Sequence, residues 1–93
     1  MIIAVDFDGT LQIGEELNLP LINKLQIAQK HGDVVILWTC RHGKRLQEAV
    51  NKLMTVGFRA NYVNCNAPET VKMLGYDPRK VLADVYIDDK AAR

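Results

Sequence analysis

Strand-like and helix-like segments alternate along almost the whole chain, and that alternation restricts the fold more than any other feature. "IIAVD" at 2–6 is a short apolar run rich in β-branched residues, the pattern of a strand covered on both faces. After a polar loop, "LPLINKLQIAQKH" at 19–31 carries Leu21, Ile22, Leu25 and Ala28 at helical spacing, with Asn18 as a cap and Gly32 as a stop. "VVILW" at 34–38 and "KRLQEAVNKLMTVG" at 44–57 repeat the pair, the second with Leu46, Ala49, Val50, Leu53 and Met54 on one face before Gly57. "ANYVN" at 60–64 reads as a weaker third strand. "NAPETVKMLG" at 66–75 offers Asn66 as cap, Pro68 near the first turn and Gly75 as terminator, and "ADVYID" at 83–88 is a fourth strand.

Strands alternating with helices imply an α/β fold, a Rossmann-like three-layer sandwich with a short, mainly parallel sheet of about four strands joined by right-handed crossovers. With 93 residues, 48% of them hydrophobic, the chain can bury one core, so residues 1–93 read as a single domain. The formal net charge is +1, and its cations are scattered among acids. That argues against an extended nucleic-acid footprint, while leaving small charged ligands open. No apolar run approaches the roughly 18 residues needed to span a bilayer, and no basic region precedes the first apolar run. Cys40 and Cys65 have neither CxxC spacing nor the company of a disulfide framework. The expectation is a cytoplasmic protein with no membrane partner.

In a parallel sheet, ligands sit beyond the carboxyl ends of the strands, near the point where strand order reverses. The first strand ends in Asp6 with Asp8 just beyond, the second in Thr39 with Arg41 just beyond, and the fourth in Asp88 and Asp89. Converging carboxylates repel one another and resist ionising without a compensating charge, so a cation is implied. An all-oxygen cluster of Asp6, Asp88 and Asp89 suits a hard divalent ion such as Mg²⁺, with substrate phosphate oxygens and water completing its shell. The Thr39 hydroxyl, Arg41 and a nearby lysine would donate to those oxygens, which is the equipment of phosphoryl transfer. Asp6 can then attack phosphorus while Asp8 moves protons; Gly9 permits a sharp turn and Thr10 can tie it by hydrogen bonding. Trp38 reads as sheet packing, and Cys40, without a base of its own, as a small filler.

"DFDGT" at 6–10, "LWTCR" at 37–41, a lysine at 80 and "IDD" at 87–89 resemble the four ordered motifs of the haloacid dehalogenase (HAD) superfamily of phosphatases and phosphotransferases. The resemblance implies that Asp6 is the nucleophile and a Mg²⁺ ligand, that Asp8 is the general acid and base whose backbone carbonyl also binds the metal, and that Asp88 completes the site with support from Asp89. It implies that Thr39 holds the transferring phosphoryl group, that Lys80 offsets its charge, and that Arg41 contacts phosphate or substrate. Lys72 and Lys90 compete with Lys80 for the lysine role. The intervals between motifs are filled by core elements, which leaves no room for a cap domain.

The expected function is a Mg²⁺-dependent phosphatase acting through an aspartyl phosphate. Transfer to an acceptor other than water is an alternative, as is a regulatory module that binds metal and phosphate with little turnover. A response-regulator receiver uses similar residues, but its phosphorylated aspartate follows the third strand rather than the first. The substrate is expected to be a phosphorylated small molecule or a larger partner, with nucleic-acid ends kept among the candidates, and a homo-oligomer that closes the open site is left open.

Overall fold

The structure, a computed structural model, describes residues 1–78 and 80–89. Its elements run β1 (Ile2–Val5), β2 (Gln12–Ile13), β3 (Glu16–Leu17), α1 (Leu19–Lys30), β4 (Val34–Leu37), α2 (Gly43–Met54), β5 (Tyr62–Val63), α3 (Pro68–Leu74) and β6 (Val85–Ile87). Four strands form a parallel sheet in the order β5-β4-β1-β6. The fold is therefore α/β, as the alternation of segments requires.

Side chains alternate across the sheet and sort its two faces. Ile3, Val5, Val35 and Leu37 point one way and meet Ile22 and Leu25 of α1 together with Ala49 and Leu53 of α2. Ala4 and Ile36 point the other way and meet Val81, with Ile2, Val34 and Trp38 around them. Thr70 and Met73 of α3 line a shallow groove beside Ile2, which puts α3 on this second face. Three layers result.

This arrangement follows from right-handed crossovers. From β1 the chain steps outward through α1 to β4 and through α2 to β5; α3 then returns it to the far side of β1, where β6 pairs with Ile3, Ala4 and Val5. Strand order thus reverses between β1 and β6, so the crevice beyond their carboxyl ends is the switch point at which such sheets bind ligands.

Helix ends obey the expected signals in part. Asn18 caps α1, its Oδ1 accepting the Leu21 N–H at 3.4 Å, and Gly75 ends α3 in the left-handed conformation with φ of 81°. Asn66 does not cap α3; the cap position is Ala67, without a side-chain bond. Asn66 is instead buried, its Nδ2 donating to Asp77 Oδ1, Pro78 O and Lys80 O while its Oδ1 accepts the Leu82 N–H at 2.7 Å. Four bonds to one loop outcompete one bond to a helix end.

Two further departures concern strands. The loop between β1 and α1 contains the antiparallel pair β2–β3, turned at Gly14 with φ of 64°. Strand β5 is only two residues long, yet asparagines lengthen it at both ends. The Asn61 N–H donates to Val35 O and its Oδ1 accepts the Val35 N–H; the Asn64 N–H donates to Leu37 O and its Oδ1 accepts the Thr39 N–H. Each side chain supplies the acceptor that a longer strand would have supplied from its backbone.

Candidate active site

Asp6 and Asp8 after β1, Thr39 and Arg41 after β4, and Asp88 and Asp89 after β6 all follow the carboxyl ends of parallel strands. Asp6 directly follows β1, and its N–H donates to Ile87 O of the neighbouring β6 at 3.0 Å. Asp88 directly follows β6, and Asp6 and Asp88 together line a small cavity of about 80 Å³ with Trp38 and Tyr86. Trp38 packs on the sheet, as its place in the strand run suggests, but it also forms a wall beside both carboxylates.

Asp6 Oδ1 accepts the Phe7 N–H at 2.8 Å. Burial pushes the Asp6 carboxyl above its ordinary value; the Phe7 bond opposes this, and the charges of Asp8, Asp89 and Asp88 add to it. The other three aspartates of the edge are therefore close enough to act on Asp6.

Asp8 faces a different environment. Both of its oxygens are held by Arg41, Nε to Oδ2 at 2.9 Å and Nη2 to Oδ1 at 2.8 Å, and the Arg41 guanidinium lies 4.7 Å from the centroid of the buried Phe7 ring. The Arg41 hydrogen bonds outweigh a small desolvation cost and hold the Asp8 carboxyl below its ordinary value, with the charges of Arg41 and Arg45 assisting. Arg41, expected to contact phosphate, here contacts the second aspartate of the first motif.

The turn after Asp8 is made by backbone. Gly9 has φ of 80°, and a Cβ at this position would lie 3.3 Å from the Asp89 Cβ, so the first and last motifs touch here. The Thr10 N–H donates to Phe7 O, but its buried Oγ1 has no hydrogen-bond partner among the described residues. Thr10 thus ties the turn by hydrogen bonding, as its place after Gly9 suggests, and does so through its amide.

Thr39 lies two residues beyond β4, its Oγ1 accepting the Arg41 N–H at 3.2 Å. Cys40 is exposed rather than a packing filler, and so is Cys65. Lys80 is exposed, with its carbonyl pinned by Asn66 at 3.2 Å, and Lys72 lies in the last turn of α3. Lys90 lies outside the described residues.

Among the described residues, no group of three or more His, Cys, Asp or Glu side chains converges closely enough to hold a metal ion. The expected cage of Asp6, Asp88 and Asp89 is thus not drawn together. Both oxygens of the fourth aspartate, Asp8, are held by Arg41.

Three residues join the site without a site role having been read for them from the sequence. Asn64 binds the Thr39–Arg41 loop, and Asn66 binds the loop that carries Lys80. Lys24 of α1 lines a cleft of about 340 Å³ together with Thr10, Asn18, Asp88 and Asp89. A helix that follows a parallel strand starts at the strand's carboxyl edge, which is the only sequence signal that could have nominated Lys24.

A solved structure from Bacteroides thetaiotaomicron, described as that of a conserved protein coded by a locus of this organism, is similar over 99% of this chain and 78% of its own, at 36% identity and a TM-score of 0.79. The chain belongs to that protein's family. No protein-family model and no curated protein matches the chain. Among the described residues no helix is long and apolar enough to cross a membrane.

Proposed function

We propose that the chain is a Mg²⁺-dependent phosphatase of the HAD type, hydrolysing phosphoric monoesters through an aspartyl phosphate on Asp6. The observation that carries the reading is the placement of Asp6 and Asp88 at the ends of adjacent strands, on either side of the point where strand order reverses.

The donors present fit a hard cation. The raised Asp6 carboxyl, surrounded by three other aspartates, is a charge arrangement that a divalent ion relieves. Asp6, Asp88 and the Asp8 backbone carbonyl would hold Mg²⁺, leaving room for water and phosphate oxygens. When bound, the ion would neutralise charge on the phosphoryl group and the carboxylates.

The chain's own residues would divide the remaining work. With Oδ1 committed to the Phe7 N–H, Asp6 Oδ2 is the oxygen available to attack phosphorus. A P–O bond to Asp6 forms as the bond to the leaving oxygen breaks, and that oxygen takes a proton from Asp8. Water then attacks the phosphorus of the aspartyl phosphate and gives its proton to Asp8, and the Asp6–phosphorus bond breaks to release inorganic phosphate. Thr39 and Lys80 would hold the phosphoryl oxygens. Arg41, together with Lys44 and Arg45 in the first turn of α2, forms a cationic rim suited to an anionic substrate. The fork of Arg41 on Asp8 would have to open for Asp8 to carry a proton, and a phosphate dianion is a competing partner for that fork.

Between Thr10 and Thr39 the chain builds only the β2–β3 pair, α1 and β4, so no cap covers the site from that interval. An open rim favours broad, weak activity on small esters, and better turnover on a larger phosphorylated partner or in an oligomer that closes the site. Transfer to an acceptor other than water fits the same rim.

A second reading, a metal- and phosphate-binding regulatory module with little turnover, is favoured by the occupied state of Asp8. One experiment separates the two. Aryl phosphates, phosphorylated metabolites and nucleic-acid ends are incubated with Mg²⁺ or with chelator, and released phosphate is measured. Mg²⁺-dependent release lost in Asp6→Asn supports the phosphatase; phosphate binding without release supports the module.

A further inference from the structure

Asn64 is the one non-glycine residue with positive φ among the described residues, at 53°. An L residue adopts this conformation only at a steric cost, and Asn tolerates it better than most. Its side chain makes two bonds, and both go to the loop after β4. Oδ1 accepts the Thr39 N–H at 2.8 Å, and Nδ2 reaches the Arg41 carbonyl at 3.5 Å. Its own N–H donates to Leu37 O at 2.8 Å, just before that loop begins.

The bonds determine what the loop can offer. With its N–H committed to Asn64 and its Oγ1 accepting the Arg41 N–H, Thr39 keeps a hydroxyl proton to donate outward. Arg41, fixed at its carbonyl by Asn64 and at its guanidinium by Phe7 and Asp8, has its fork aimed along the first motif. We infer that Asn64 is a positioning residue for the anion-binding loop, fixing the backbone from which the Thr39 hydroxyl and the Arg41 fork are presented, the fork resting on Asp8 until a phosphoryl group competes for it. The inference deepens the phosphatase reading and rests on it for its kinetic readout, but not for its structural one.

Asn61 supplies the control. It makes the corresponding ladder bond at the opposite end of β5, to the Val35 N–H at 2.9 Å, on the edge of the sheet away from the site. Asn64→Gly keeps the positive φ accessible while deleting both side-chain bonds, and Asn61→Ala removes the matching bond at the far end.

Both variants are compared with the wild type in thermal melts, in aryl phosphate kinetics, and in the NMR signal of the Arg41 Nε–H, which reports the fork on Asp8. Asn64→Gly should raise KM roughly tenfold, with kcat changed less, and should shift or broaden the Arg41 signal. Asn61→Ala should leave both readouts at wild-type values. If Asn64→Gly leaves the Arg41 signal in place, or if the two variants behave alike, the inference is overturned. Global unfolding of Asn64→Gly beside a folded Asn61→Ala would also overturn it, by making Asn64 a residue of the fold alone. A wild type without turnover would refute the phosphatase reading, while the Arg41 signal would still decide the role of Asn64.

Discussion

Arg41 and Asp8, 33 residues apart in sequence, form a two-pronged ion pair at 2.8 and 2.9 Å across the mouth of the candidate site. The Arg41 side chain is only 15% exposed and rests on Phe7, whereas Asp8 is 54% exposed, so the arginine is the fixed partner. Arg41→Lys should behave like Arg41→Ala, because an ammonium neither forks onto a carboxylate nor lies flat on a ring. In both, KM for an aryl phosphate should rise by about tenfold or more. Wild-type KM in Arg41→Lys would show that only the charge at this position matters.

The two aspartates of the first motif should titrate in opposite directions from the ordinary value near 3.9. Asp8 is held low by Arg41, so it contributes stability that is present above its unfolded-state value and lost as pH falls through its folded-state value. Asp6 is held high by burial and its neighbours, so ionised Asp6 costs stability, and the cost is relieved as pH falls through its raised value. Carboxyl NMR titration of the metal-free protein reads both directly. Arg41→Ala should bring Asp8 back toward the ordinary value; an unchanged Asp8 would contradict the ion pair.

The same charge argument makes a thermal prediction. In chelator at neutral pH, Asp6→Asn should melt roughly 2–4 °C above wild type, the shift produced by about 0.5 kcal/mol in a domain of this size once solvent has screened the repulsion. Mg²⁺ should raise the wild-type melting temperature and do little for Asp6→Asn. A lower melting temperature for the variant would mean that the carboxylates are not in conflict.

Gly9→Ala combines a left-handed φ with a Cβ pressed to 3.3 Å from the Asp89 Cβ. A loss of about 1–2 kcal/mol is expected, roughly 4–16 °C in melting temperature. Because the tight contact joins the first motif to the last, activity should fall in the protein that remains folded. Wild-type stability in this variant would show that the two loops are free to separate.

Lys80, Lys72 and Lys24 can be ranked by single alanine variants. The Asn66 bond to the Lys80 carbonyl orders that part of the chain, which favours Lys80 as the phosphoryl-binding lysine. Its loss should lower kcat by about a hundredfold or more, while Lys72→Ala, on the exposed last turn of α3, should be neutral. Lys24→Ala should alter KM selectively for esters bulky enough to enter the cleft that Lys24 lines. An inactive Lys72→Ala with an active Lys80→Ala would reverse the assignment.

The placement of Asp6, Thr39 and Asp88 was legible because it follows from three apolar runs and one rule about parallel sheets. The asparagines were not, since Asn61 and Asn64 act through bonds to β4 that exist only once the register Ile36 to Tyr62 is set. Strands β2 and β3 have two residues each, too few for an alternating pattern to show. The partner of Arg41 was hidden for a related reason: both phosphate and Asp8 satisfy a guanidinium, and the choice depends on where the loop after β4 aims the side chain. Asn66 looked like a helix cap because local signals reward the nearest helix, while its real partners lie up to 16 residues away.

The most direct test of the proposed chemistry is a rapid-quench mass measurement of the protein turning over an aryl phosphate with Mg²⁺, followed by peptide mapping. A phosphoryl group on Asp6, labile to hydroxylamine and absent in Asp6→Asn, is the predicted result. Mg²⁺-dependent phosphate release that persists in Asp6→Asn, or a phosphoryl group on any other residue, would contradict it.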